Sequence, residues 1–338
     1  MNTFGRIFKI SIFGESHGKS IGIILDGVPS GINLSEQDFF EDISRRKSGA
    51  KGTTPRIEAD EPHILSGVFQ GYTTGAPLCV IFENNNTRSD DYSQFKIQPR
   101  PGHADLVAAQ KWNGFNDPRG GGHFSGRITL PIVAAGVVAK KILSKTTVGE
   151  KVPFQVSAKL VQLGGVDDPN EWSVALDKAK ETGDSLGAIV QCSISNPPIS
   201  LGEPFFDSIE SLLSHSLFSI PGVRGVEFGD GFLSATQKGS EHNDIILDSS
   251  GKTPTNHSGG INGGISNGNS ILFRVAFKPT STISVAQKTY NMDNKVLEEL
   301  KSRGRHDVCF ALRTPVLVES MAAIVLADLK MINFAAGI

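Results

Sequence analysis

Six short stretches of this chain concentrate groups suited to proton transfer or anion binding. In Phe13-Gly14-Glu15-Ser16-His17-Gly18 a carboxylate, a hydroxyl and an imidazole sit between glycines. An imidazole titrates near neutrality and gives or takes a proton cheaply. The segment is either a polar turn or a site where a bend presents His17. Arg45-Arg46-Lys47 closes an expected helix, with Lys51 and Arg56 following. Such cations either complement a helix C-terminus or grip an anion, since guanidinium forks match phosphate and carboxylate. Arg100-Pro101-Gly102-His103-Ala104-Asp105 sets a second histidine at a loop-to-helix junction, where Asp105 serves equally as a plain cap. Arg119-Gly120-Gly121-Gly122-His123-Phe124-Ser125-Gly126-Arg127 is a glycine loop that suits an anionic group, although it lacks the GxxxxGK[ST] pattern. Lys278-Pro279-Thr280-Ser281-Thr282 offers an ammonium and three hydroxyls for a phosphate, or forms only a strand end and turn. Gly304-Arg305-His306-Asp307 sets Arg, His and Asp in sequence ahead of the final helix, most simply as a salt-bridged corner.

The elements that must position these groups follow from periodicity. Residues 7–13 and 20–27 alternate as strands, and Ser35 caps a helix through Arg46 with Phe39, Phe40 and Ile43 at helical spacing. A strand is expected at 78–82, a helix at 104–112 and an apolar helix over 127–143. After a strand at 152–163 and a helix at 170–181 the pattern begins again. Ser185-Leu186-Gly187-Ala188-Ile189-Val190 resembles Ser20-Ile21-Gly22-Ile23-Ile24-Leu25 at an offset of 165, and Phe205-Phe206 takes the place of Phe39-Phe40. Gly264–Gly268 resembles Gly71–Gly75, and Arg313 with Pro315 opens a long helix as Arg127 with Pro131 does. These repeats predict one α+β domain over 1–338, made of two duplicated halves, roughly 1–150 and 151–338.

Composition removes several function classes. A net charge of −2 and no basic stripe with interleaved aromatics argue against nucleic acid. No apolar run approaches the roughly 20 residues that span a bilayer, so no membrane is expected. The three cysteines are far apart, which fits a reducing cytoplasm, and no HExxH, HxH or cysteine pair predicts a metal. Clustered glycines point to an enzyme that brings backbone close to a cofactor.

Taken together, the segments resemble the chorismate synthase family, in that family's order. The resemblance rests on Phe13–Gly18, Leu25-Asp26-Gly27-Val28-Pro29, Ile43-Ser44-Arg45-Arg46, Ile64-Leu65-Ser66-Gly67-Val68-Phe69, Arg100–Asp105, Lys278–Ser281 and Gly304–Asp307. It implies a β-α-β sandwich with internal pseudo-two-fold symmetry, usually a homotetramer. It also implies an anti-1,4-elimination of phosphate from 5-enolpyruvylshikimate 3-phosphate to give chorismate, at the end of the shikimate pathway. The reaction needs reduced FMN; an external flavin reductase is expected to supply it, with NADPH as the possible reductant near Arg46.

By that resemblance His17 matches the acid that protonates the flavin near N1, His103 the histidine near the leaving phosphate, and Asp307 the carboxylate that assists removal of the C6 proton. Ser16, Arg45, Arg46, Lys47 and Arg127 match substrate contacts. His123, Phe124, Ser125, Pro221, Gly222, Gly263, Lys278, Pro279, Thr280, Ser281, Thr282 and Arg305 match flavin contacts. Two departures stand out: His123-Phe124-Ser125-Gly126-Arg127 replaces an Arg-Ser-Ser-Ala-Arg run, and Lys47-Ser48-Gly49-Ala50-Lys51-Gly52 an arginine-rich one. With a histidine for an arginine, substrate affinity is expected to fall more steeply above pH 7.

Overall fold

Two antiparallel sheets enclose a layer of helices. A computed structural model describes residues 1–54, 58–85, 94–144, 154–302 and 307–337; Arg56 and Arg305 lie outside the described residues. The first half carries strands β1 (Thr3–Phe4), β2 (Lys9–Gly14) and β3 (Ser20–Asp26), helix α1 (Phe40–Arg46), then β4 (His63–Ser66). A small hairpin, β5 (Val68–Phe69) and β6 (Tyr72–Thr73), leads to β7 (Leu78–Glu83). Helices α2 (Asp105–Lys111) and α3 (Leu130–Ser144) follow.

The second half opens with β8 (Gln155–Leu163), α4 (Trp172–Thr182) and β9 (Ala188–Ser195). Next come α5 (Ile209–Leu217), β10 (Val223–Phe228), the one-turn α6 (Gly239–His242), and the hairpin β11 (Ile261–Asn262) and β12 (Ile265–Ser266). It closes with β13 (Ile271–Phe277), the ribbon β14 (Gln287–Asn291) and β15 (Val296–Leu300), and α7 (Pro315–Ala336).

The sheet order is β1-β2-β3-β7-β4 in one half and β10-β13-β9-β8 in the other. Read from β8 and with β1 set aside, the second repeats the first: β2, β3, β7, β4 answer to β8, β9, β13, β10. Alternation explains the strands. In β13 every second residue from Ile271 to Phe277 is buried, and Ala188, Val190, Cys192 and Ile194 form the inner face of β9. Helices α3 and α7 read as apolar on nearly every face because they lie between the sheets, against each other and against β3 and β8. They meet at Gly136, where a Cβ would stand 2.3 Å from the Ser320 hydroxyl, so only glycine permits the crossing.

One detail of the sequence repeat is corrected. Phe39 is fully buried, but Phe205 and Phe206 are 88% and 91% exposed in a 3-10 turn that precedes α5. The structural register pairs Pro29 and Ile32 with Pro198 and Leu201 (below), an offset of 169 that already holds where β3 ends at Asp26 and β9 at Ser195, so the motif match at 165 is out of register. The helix expected at 127–143 begins as a 3-10 turn at Gly126–Thr129 before α3.

Candidate active site

A cavity of about 830 Å³ opens where the two halves meet. The first half supplies Ser16, Arg46, Lys47, His103, His123, Phe124, Ser125 and Arg127 to its wall; the second supplies Pro221, Gly222, Lys278, Pro279, Thr280, Ser281 and Asp307. The fold therefore gathers most of the residues singled out in the sequence, from loops far apart in the chain.

The glycine loop organises the histidines. Gly120, Gly121 and Gly122 all have positive φ (60°, 82° and 55°), a path that side chains other than glycine rarely take. A Cβ on Gly120 would stand 2.7 Å from the Ser16 hydroxyl and 3.1 Å from the His17 ring. On Gly121 it would stand 3.7 Å from Cε1 and Nε2 of His103. His17 is buried and stands behind this loop rather than on the cavity wall, whereas His103 reaches the cavity directly. The Ser16 amide, donating 3.1 Å to the Gly122 carbonyl, ties the two segments together.

Charge is gathered at the cavity floor. Arg46 is 5% exposed; its guanidinium donates to Thr129 Oγ1 (3.1 Å) and the Gly126 carbonyl (2.7 Å), with Asp60 3.8 Å away. Burial, together with Arg313 and Arg127, presses Arg46 down to about 10 against the pull of Asp60 and Glu58. Arg127 pairs with Asp60 at 2.8 Å and with Glu58, and donates to Asn84 and the Glu83 carbonyl. Lys47 donates to the Ala59 carbonyl at 2.7 Å. Asp307 accepts from Arg313 at 2.5 Å and from the Thr54 amide at 2.8 Å, which fixes the carboxylate in place. Among the described residues the wall holds six cationic side chains (Arg46, Lys47, Arg127, Arg224, Lys278, Arg313) against three carboxylates, Glu58, Asp60 and Asp307. An anionic ligand is favoured there.

The flavin-type segment of the second half clasps the loop that carries His103. Lys278 Nζ and Ser281 Oγ both donate to the Gly102 carbonyl, at 2.5 and 2.7 Å. Burial and the nearby Arg224 lower the Lys278 ammonium. Thr280 presents a buried hydroxyl that has no hydrogen-bond partner among the described residues.

Other expected residues sit elsewhere. Arg45 turns from the cavity to Glu319 on α7, donating at 2.6 and 2.7 Å, with Asp42 at 3.1 Å. Adjacent helical residues point about 100° apart, so Arg46 and Arg45 cannot serve one site. Gly263 lies in the β11–β12 hairpin, outside the cavity wall, and Thr282 accepts from Arg100 at 3.0 Å behind it. His123 is not a charge standing toward a ligand. Its Nδ1 lies 2.8 Å from the Gly14 carbonyl and its Nε2 3.0 Å from Asn2 Oδ1, so it latches the N-terminal strand to the end of β2. Phe124 packs on Trp112, ring centres 5.6 Å apart.

The sequence reading passed over Glu58, Asp60, Arg224 and Arg313 as site residues. Arg313 had a signal, its match to Arg127 in the repeat. Asp60 had none; its positive φ of 50° shows only in the fold.

A family model, described as chorismate synthase, matches residues 8–331. A chorismate synthase of Chitinophaga pinensis is 54% identical over 333 residues, covering 98% of this chain and 97% of that relative. One from Dehalococcoides mccartyi is 43% identical over 98% of this chain and 96% of its own, and one from Korarchaeum cryptofilum 44% over 96% of each. A solved chorismate synthase crystal structure superimposes with a TM-score of 0.74 at 26% identity, covering 98% of this chain and 93% of that one. Similarity of this extent, over both halves, places the chain in the chorismate synthase family of lyases.

Proposed function

We propose that this protein eliminates phosphate from 5-enolpyruvylshikimate 3-phosphate to give chorismate, with reduced FMN as cofactor, as the last common step toward aromatic amino acids. The observation that carries the reading is the shared cavity, where six cations outnumber three carboxylates and His103 and Asp307 stand on walls from opposite halves. A substrate with a phosphate and two carboxylates needs such a local excess in a protein of net charge −2.

The residues fit a flavin nucleotide. The cavity lies in the size range of cofactor sites. The unpartnered Thr280 hydroxyl, Lys278, Ser281 and the bare backbone of Gly120–Gly122 offer donors for a phosphate and a polar ring edge. When bound, reduced FMN supplies electron density that stabilises the allylic centre developing at the substrate. The chain's own groups do the placing and proton transfer. Arg46, Lys47 and Arg127 hold the anionic substrate, and His103 delivers a proton to the departing phosphate oxygen. Asp307, fixed by Arg313 and Thr54, keeps a carboxylate ready for the C6 proton, and His17 holds a proton behind Gly120.

A homotetramer in the cytoplasm belongs to the same reading. Exposed Phe205, Phe206 and Phe232 support the assembly, and three free cysteines support the compartment. Reduced FMN would come from a separate reductase drawing on NADPH; Arg46, committed to Thr129 and Gly126, suits substrate better than NADPH. The test is anaerobic incubation with reduced FMN and the enolpyruvyl substrate. Stoichiometric phosphate and chorismate are expected, and substrate binding without phosphate release would instead make the protein a binder that has lost catalysis.

A further inference from the structure

Five of the six cations on the cavity wall are committed within the protein. Arg46, Lys47, Arg127, Lys278 and Arg313 each donate to a carbonyl or a carboxylate. Arg224 reaches the same wall, yet it is exposed and makes no hydrogen bond or ion pair among the described residues. The carboxylates around it are taken. Glu58 and Asp60 pair with Arg127, Asp307 with Arg313, and Glu227 on the same strand with Arg274 at 2.9 Å.

A break in the sheet ladder puts Arg224 in this position. β10 is an edge strand, and Val223 opposes Phe277 while Gly225 opposes Ala276, the adjacent residue of β13. Arg224 is therefore the extra residue of a β-bulge, a device that re-aims a side chain at a sheet edge. The first half has the same bulge in its edge strand β4. There Ile64 opposes Val80, Ser66 opposes Cys79, and Leu65 is the extra residue. Leu65 is exposed and lies off the cavity wall. The duplicated frame supplies the bulge twice, and one copy carries a cation to the site.

Beside the bulge the Lys278 amide donates to the Gly222 carbonyl at 2.8 Å, which brings the 278–282 segment alongside. Arg224 and Lys278 are like charges on one wall, and Arg224 adds to burial in lowering the Lys278 ammonium. Two such cations with no carboxylate to share favour an anion between them. The buried, unpartnered Thr280 hydroxyl lies on the same segment and on the same wall.

We propose that Arg224 binds a phosphate monoester at this wall, and that the phosphate is the flavin nucleotide's, so that Arg224 selects FMN over unphosphorylated flavin. This rests on the reading of reduced FMN as the cofactor. A guanidinium fork matches a phosphate with two parallel hydrogen bonds, whereas an ammonium meets it as a point charge. The substrate also carries a phosphate, but the cations proposed for it, Arg46, Lys47 and Arg127, come from the first half. Arg224 comes from the second, with Lys278, Thr280 and Ser281.

The test is isothermal titration calorimetry of the intact chain with FMN, riboflavin and the enolpyruvyl substrate, in wild type, Arg224→Met and Arg224→Lys. Wild type is expected to bind FMN more tightly than riboflavin. Arg224→Met should weaken FMN about tenfold, the worth of a charge-assisted hydrogen bond, with riboflavin and substrate affinities within about twofold. Arg224→Lys should recover only part of that loss. Because Arg224 bonds to nothing in the protein, both variants should melt with wild type. An FMN affinity unchanged in Arg224→Met overturns the proposal, and so does a loss that riboflavin shares or that falls on the substrate alone. Wild-type protein that binds neither flavin overturns the cofactor reading as well.

Discussion

The two halves are built alike at their scaffold and differ at the cavity. In the first, the Thr73 hydroxyl donates to the Pro29 carbonyl (2.6 Å) and accepts from the Ile32 amide (2.9 Å). In the second, the Ser266 hydroxyl donates to the Pro198 carbonyl (2.6 Å) and accepts from the Leu201 amide (3.0 Å). The same hydroxyl, in the same hairpin, locks the same strand exit twice. At the cavity the likeness ends. The first half brings His103, His123 and Arg46; the second brings His215, Asp307, Arg313 and the hydroxyl-rich 278–282 segment. Backbone hydrogen bonds and burial constrain the scaffold in both copies, whereas the loops beyond the strand ends are free to diverge. A symmetric frame therefore holds an asymmetric site.

The largest expected effect is at the asymmetric part. His103→Ala and Asp307→Asn, one from each half, should each slow single-turnover phosphate release by about 10²–10⁴-fold, the usual worth of a positioned acid or base. Circular dichroism and the melting temperature should stay near wild type. Next comes the contrast between neighbours on α1. Arg46→Met should raise KM for the substrate by about 10–100-fold, the worth of charge-assisted hydrogen bonds. It should cost little stability, because burial and like charge already hold Arg46 down at about 10. Arg45→Met should leave KM near wild type and lower unfolding free energy by about 1–3 kcal/mol in urea, since Glu319, 4% exposed at its side chain, loses its fork. Equal behaviour of the two variants would erase the distinction drawn from the fold.

The scaffold likeness can be broken in the same way. Thr73→Val and Ser266→Ala each strand a buried amide and carbonyl, and each should cost about 1–3 kcal/mol. The two costs should agree within about 1 kcal/mol if the halves carry equal structural weight. The smallest effect concerns acid. The folded Asp105 carboxyl sits below its unfolded value of about 3.9, so its stabilisation is present above that pH and is lost as pH falls through the lower folded value. Wild-type stability should therefore drop on the order of 1 kcal/mol more than that of Asp105→Asn between about pH 4 and pH 2.

Much of this was legible in the residues themselves. Alternation placed β2, β3 and β7, the apolar run placed α3, and the Gly71/Gly264 match placed the paired hairpins. The motifs also named much of the polar part of the cavity wall, among it Arg46, His103, Lys278 and Asp307. What stayed hidden depends on rotation and distance. Arg45 and Arg46 are chemically identical, and only the turn of α1 sends one to Glu319 and the other to the cavity. Phe205-Phe206 looked like Phe39-Phe40, yet they fall short of that position in the structural register and lie exposed in the turn before α5. His123 read as a substitute charge, but its ring bridges Gly14 and Asn2, so its nitrogens are engaged by the protein rather than offered to a substrate. Asp60 and Glu58 belong to no motif in the sequence, and only the fold lays them against Arg127.

The central claim is that one active site is shared by both halves, and a double-mutant cycle tests it most directly. Single-turnover phosphate release is measured for His103→Ala, Asp307→Asn and the two combined. Groups that act as a unit are not additive, so the double variant should be within about tenfold of the slower single variant. A double variant slowed by the full product of the two losses would show two independent contributions and contradict the shared site.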